Sequence, residues 1–356
     1  MISLNSYDLS FRAPSVWPLK GRRAVLTALA LTFLYLVSAP HGLAGAPIIT
    51  SQAGSNEMIV TASAVRMRAA PQVASREVTR LKLGTVVRVL ERSAKPDTVG
   101  QKQDYWYRVS SSDGKTGWVF GGLMSDFDPD RRDETYRRLA AERLKMEKAT
   151  YEDHVDLVNF LSRALNEVKQ TDIKAELELD SLLALKLSLE AIPFDKQEQP
   201  PYSVWIKTHD AKIVYSEPAG LWLVRAELFW NLQKKYSSLP IAERIAWEAS
   251  KIYLPGECEG YVPCYVYLSR LTDGEYLKLY PEGAHASVAL KSMAEGYSPI
   301  VADLREQKIY DKPTDESERA ELRKTLDELR AIVVKTTVPE KDEVLKQLDQ
   351  IAQSYL

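Results

Sequence analysis

Apolar positions along this chain keep two rhythms, and the change between them falls near residue 128. Before it, short β-branched and aromatic runs alternate with polar residues. Met58-Ile59-Val60-Thr61 to Met67-Arg68 ends at Pro71, and Glu77-Val78-Thr79-Arg80-Leu81-Lys82-Leu83 ends at Gly84. Val86-Val87-Arg88-Val89-Leu90 follows, and then Tyr105-Trp106-Tyr107-Arg108-Val109, a Ser-Ser-Ser-Asp-Gly turn, and Gly117-Trp118-Val119-Phe120. Such runs, punctuated by Gly, Pro and Asp-Gly, predict a small closed β-barrel or sandwich. Strand alternation puts Tyr105, Tyr107 and Val109 on one face and Trp106 with Arg108 on the other. If Val109 and Val119 both point inward, Trp106 and Trp118 take the outer parity, where a ligand could stack. A one-residue slip would reverse one strand. The alternative use of these aromatics is to cover the barrel and pack on a neighbouring domain. Ser93 to Asp104, with Pro96 and Gly100, is expected as a long loop that sets the rim of a groove.

After residue 128 the period becomes about 3.6, which predicts helices. Asp128-Pro129 marks the start of a charged helix from Asp130 to Lys148 with Tyr136, Leu139, Ala140 and Leu144 near one face. Val155 to Leu165 predicts a second helix. Leu177 to Leu189 predicts a third, ending before Pro193 and buried on most of its circumference. Near residues 203–216, Val204-Trp205-Ile206-Lys207 and Lys212-Ile213-Val214-Tyr215 flank His209-Asp210 and predict a short hairpin. Helices resume after Pro218, and Thr314–Lys335 and Pro339–Tyr355 predict two more at the tail.

The motifs V-x-x-R-x-x-P, G-x-x-V-x-V, W-Y-x-V and G-W-V occur in that order, and through them residues 57–124 resemble the bacterial SH3-type (SH3b) domain. The resemblance implies a small barrel that binds peptidoglycan stem or bridge peptides, or proteins, and does no chemistry. Arg66, Trp106, Arg108 and Trp118 are the candidate ligand contacts. The chain departs from the common V-N-V-R-x-G-P form at Met67 and Ala69-Ala70. A second resemblance, at about residues 218–295, is to tetratricopeptide-like (TPR-like) helical repeats. Tyr236 and Tyr280, and likewise Ala242 and Ala286, stand 44 residues apart. A plain helical bundle is the alternative.

Composition narrows the partners. At 356 residues, with 27% charged and 45% hydrophobic, the chain can build more than one core. Beyond residue 46 it holds 43 basic and 48 acidic residues with no basic tract, which argues against nucleic acid as the main partner. Lys20, Arg22 and Arg23 precede the apolar run Ala24–Val37, a break at Pro40 and small residues up to Ala46. This predicts a secretory signal peptide over residues 1–46, with a retained N-terminal anchor as the alternative. Cleavage fits after Ala44, because Pro47 would follow a cut at Ala46. No membrane span is expected after cleavage, and the protein is expected to be exported, periplasmic or secreted.

Cys258 and Cys264, in the loop Pro255-Gly256-Glu257-Cys258-Glu259-Gly260-Tyr261-Val262-Pro263-Cys264, are expected to form a disulfide in an exported protein. A metal site is disfavoured because His154, His209 and His285 are scattered, and a redox pair because the spacing is not C-x-x-C. No H-E-x-x-H, G-x-S-x-G or P-loop occurs. Glu257, Glu259, Asp273 and Glu275 cluster in sequence and could serve acid–base chemistry, although solvated loop charge explains them. The expectation is therefore multidomain. A small all-β SH3-like barrel (57–126) precedes an all-α, TPR-like domain (128–356). Together they make a non-catalytic binding or scaffold protein without cofactor or metal, whose partner is peptidoglycan or an envelope protein. The alternatives are a purely protein–protein scaffold with the barrel packed on the helices, and a cell-wall-active enzyme. The oligomeric state does not follow from the sequence.

Overall fold

A computed structural model describes residues 56–306 and 312–356, so the segment read as a signal peptide lies outside the described residues. The β part comprises β1 (Glu57–Val60), β2 (Val65–Arg68), β3 (Glu77–Leu81), β4 (Val86–Arg92), β5 (Asp97–Val99), β6 (Lys102–Asp104), β7 (Trp106–Ser110), β8 (Thr116–Phe120) and β9 (Met124–Asp126). Seven of these pair antiparallel in the order β3-β2-β8-β7-β4-β1-β9, while β5 and β6 form a separate two-stranded arm. Each of the seven contributes to one cluster: Met58 and Val60, Val65 and Met67, Leu81, Val87, Val109, Val119 and Met124. A single cluster fed by every strand requires a curled sheet.

The expected SH3-like β domain is present, as a curled sheet whose edge strands β3 and β9 do not pair with each other. After β3 the chain turns at Gly84, against Phe160, and re-enters the sheet as β4, and β9 runs only three residues before the helical turn at Pro129. Neither edge is continued far enough to meet the other.

Period-two alternation also supplies the attachment to the helices. Ile59 points away from the sheet's own cluster and joins Leu83 and Phe127 in the helical core. Gly84, at φ +76°, lies so close to Phe160 that a β-carbon there would meet the ring at 2.2 Å. Arg163 donates to the Leu83 carbonyl at 2.7 Å, and Arg143 donates to Ser63 Oγ at 2.9 Å and to Asp153 at 2.7 Å.

Asp128 accepts from the Asp130 amide at 3.0 Å and starts the helical turn Pro129–Arg131, which leads into α1 (Arg132–Leu144). Thr150 and Asp153 form a reciprocal capping box at the start of α2 (Tyr151–Ala164). The Leu-rich run becomes α3 (Thr171–Glu190), with Leu177, Leu179, Leu185 and Leu189 buried.

The predicted hairpin is displaced. Val204-Trp205-Ile206 belongs to α4 (Tyr202–Thr208), and the strand pair is β10 (Ile213–Ser216) with β11 (Leu221–Val224). Helical spacing lets Tyr202 meet Tyr151 edge to face with centroids 4.7 Å apart, Trp205 donate to Ser188 Oγ at 2.9 Å, and Ile206 enter the core. A strand would have split Trp205 from Ile206.

The remainder is α5 (Ala226–Lys235), α6 (Ala242–Ser250), α7 (Val262–Leu271), α8 (Asp273–Leu279), α9 (Ala286–Arg305), α10 (Glu316–Val333) and α11 (Lys341–Tyr355). The 44-residue spacing has a structural counterpart: Tyr236 and Tyr280 cap α5 and α8, and Ala242 and Ala286 open α6 and α9. The units differ in length, however, with 9 residues in α6 against 20 in α9, and α7 intervenes. The likeness to TPR-like repeats thus stands as a resemblance of pattern. No helix among the described residues is long and apolar enough to cross a membrane.

Candidate ligand-binding groove

The outer face of the sheet carries a groove of about 240 Å³ between two projections. One projection is the loop from Ala69 to Arg76. Arg68 Nη1 donates to the Ser75 carbonyl at 2.7 Å, Ser75 Oγ accepts from the Ala70 amide at 2.8 Å, and the Ala69 amide donates to Arg76 at 2.9 Å. These bonds hold Val73 out at the loop tip, 51% exposed. The other projection is the β5–β6 arm, so the segment expected as a rim loop is a hairpin with Gly100 at φ +62° in its turn. Asp97 of that arm accepts from the Trp106 indole at 2.9 Å, and Val99 faces the groove. The floor is Trp106 edge-on to Phe120, centroids 5.6 Å apart, with Val65 and Leu123. Arg66 and Arg68 supply the positive charge, and Arg66 also meets Glu77 at 3.3 Å.

Of the four residues singled out from sequence, Arg66 and Trp106 share this groove. Trp106 has the expected outer parity yet is only 3% exposed, because the arm covers it and Phe120 backs it. It serves as a buried floor and not as a free stacking surface. Arg108 and Trp118 are cross-strand partners beside the groove, and Arg68 pairs with Trp118 from the other side. Half-exposed Trp118 thus lies between two arginines, and Arg108 itself reaches Glu91 at 3.7 Å. Sequence reasoning missed Arg68, Val73, Val99, Phe120 and Leu123. Arg68 could have been found, since it is the arginine of the V-x-x-R-x-x-P motif and follows Arg66 by two on one strand face. Val73 and Val99 could not, because only the fold brings their loops over the same strands.

A larger groove, about 1190 Å³, opens at the start of α1, but its charged walls of both signs compensate each other, as Arg137 does Glu176 at 3.7 Å. Farther along, Asp180 lines a cleft of about 470 Å³ between α1 and α3. Burial pushes Asp180 up to about 6, against the pull of Arg244 at 3.5 Å. Near Cys258 and Cys264, which form the disulfide, Asp273 is taken by Lys251 at 2.7 Å and Glu275 by Arg270 at 2.6 Å. Closing that short loop contributes about 2 kcal/mol by chain entropy. His285 stacks on Trp247 and His209 leans on Trp205. Among the described residues no group of three His, Cys, Asp or Glu is placed to hold a metal ion.

No curated protein sequence matches the chain. Residues 63–125, which supply both projections and the floor of the groove, match the family model of the bacterial SH3 domain, and this part of the chain is a bacterial SH3 domain.

Proposed function

We propose that this protein is an exported, non-catalytic binding protein of the cell envelope, whose SH3 groove holds an extended peptide bearing a carboxylate. Peptidoglycan stem peptides have that chemistry. The observation that carries the reading is the pairing of an apolar floor, Trp106 and Phe120, with Arg66 and Arg68 at one rim. The floor would accept side-chain methyls and the arginines a carboxylate. The helical body would dock a protein partner. Export is supported by the sequence of residues 1–46 and by the disulfide, a bond that persists in oxidising compartments. Absence of catalysis is supported by the engagement of Asp273 and Glu275 in ion pairs.

The rival reading, a scaffold whose groove is closed by its own helices, is less well supported. The sheet packs on the helices through Ile59, Leu83 and Gly84, and what covers Trp106 is the β5–β6 arm. Co-sedimentation of the mature chain with purified peptidoglycan sacculi tests the proposal. Arg66→Glu and Val73→Asp, both at exposed positions, should each weaken binding roughly tenfold while leaving the fold intact. Wild-type protein that stays in the supernatant would overturn the wall-ligand reading.

A further inference from the structure

A second groove, independent of the first, lies between α7 and α10 at the disulfide loop, with a volume of about 190 Å³. One wall is Tyr261, Pro263 and Tyr267, with Cys264 among them; the other is Glu318 and Glu321, with Leu322 beneath. The disulfide fixes the loop at the head of α7, and its Cα atoms are 5.4 Å apart. Tyr267 is 49% exposed. The Tyr261 hydroxyl bonds to Glu318, and burial together with Glu318, Asp315 and Glu321 raises its pKa. No lysine or arginine pairs with Glu318 or Glu321 among the described residues. Glu318 accepts from the Thr314 amide at 3.0 Å, but neither carboxylate has a cationic partner among those residues. Aromatic faces along one side and charge-uncompensated carboxylates at the other are complementary to one chemical object: a cationic head on an aliphatic stem.

The chain itself displays such groups elsewhere. Residues 57–126 hold 11 Lys and Arg against 7 Asp and Glu, whereas residues 127–356 hold 32 against 41. The outer face of the SH3 domain presents Arg66, Arg80 and Arg108 as exposed side chains; Arg66 and Arg80 share Glu77, and Arg108, across from Trp118, reaches Glu91 at 3.7 Å, the longest of the three pairs. Opposite net charges on the two parts of one molecule favour contacts between unlike parts of two molecules.

We propose that the α7–α10 groove is a receptor for an arginine of the SH3 face of a second copy, so that copies associate head to tail. A contact between two different surfaces need not close into a ring, and it therefore builds short open chains as concentration rises. Tyr261 and Tyr267 flank the guanidinium stem, and Glu318 with Glu321 takes its head.

Sedimentation velocity of the mature chain tests this. Wild type should show concentration-dependent association at an ionic strength of about 0.05 M that disappears at about 0.5 M. Glu318→Lys with Glu321→Lys should weaken self-association at least tenfold, and so should Arg80→Glu with Arg108→Glu. Mixing the two reversed proteins should restore complex formation between them, a gain that misfolding of either could not produce. A wild type that stays monomeric at every concentration, or reversed proteins that fail to pair, would overturn the inference. Glu318→Lys with Glu321→Lys touches no residue of the first groove, so sacculus binding is read separately in that variant.

Discussion

The SH3 domain and the helical body handle charge and burial in opposite ways. In the domain, one curled sheet turns a single apolar cluster inward and leaves its arginines on the outer strand face. In the body, two larger clusters are built from many helices, and an acid, Asp180, ends up 3% exposed on α3. The alternation of a strand separates inside from outside at every residue, whereas a helix packed on several sides must bury whatever its middle turns carry. Recognition on the sheet can therefore be altered without touching the core, and a change inside the helices is felt as stability.

Trp106 tests the first half of that contrast from the wrong side. It belongs to the outer parity but is buried, so Trp106→Ala should cost about 3–5 kcal/mol, as large aromatic deletions do. Urea denaturation measures it. A cost below 1 kcal/mol would mean that the β5–β6 arm does not hold the indole as the Asp97 bond implies. Arg66→Ala, two strands away and exposed, should fall within about 0.5 kcal/mol of wild type.

Gly84 tests whether the two parts are one cooperative unit. Gly84→Val adds a branched side chain at φ +76° against Phe160 and should cost about 2–4 kcal/mol. Thermal unfolding should then separate into two transitions, sheet and helices. One sharp transition at wild-type temperature would refute the tight seam.

Asp180 gives a smaller effect than either large substitution, and a pH signature. Its folded pKa of about 6 lies above the ordinary aspartate value of about 4, so the folded state holds the proton more tightly than the unfolded chain. Stability from this group is full below the unfolded pKa and falls as pH rises through about 4 to 6. Asp180→Asn should remove that fall and gain about 2 kcal/mol at pH 7.5 relative to pH 4. Denaturation midpoints at the two pH values show it, and an unchanged pH profile would argue that Arg244 compensates the charge fully.

Much of the fold was legible along the chain, because most of its elements obey local rules. Asp128-Pro129 foretold the entry to α1, and the parity of Val109 and Val119 foretold the sheet's core. The spacing of Tyr236 and Tyr280 foretold two helix ends, and the six-residue separation of Cys258 and Cys264 a closed loop. Each of these depends on neighbours within a few residues or on a period. The placement of α4 did not follow, since Val204-Trp205-Ile206 suits a strand as well as a helix until Ser188 and Tyr151 are brought beside it. Nor did the burial of Trp106, which depends on a hairpin folding back from Asp97, or the pairing of Val73 with Val99 over one floor. Periodicity in the sequence says which way a side chain points; what covers it is a distant segment, and only long-range packing supplies that.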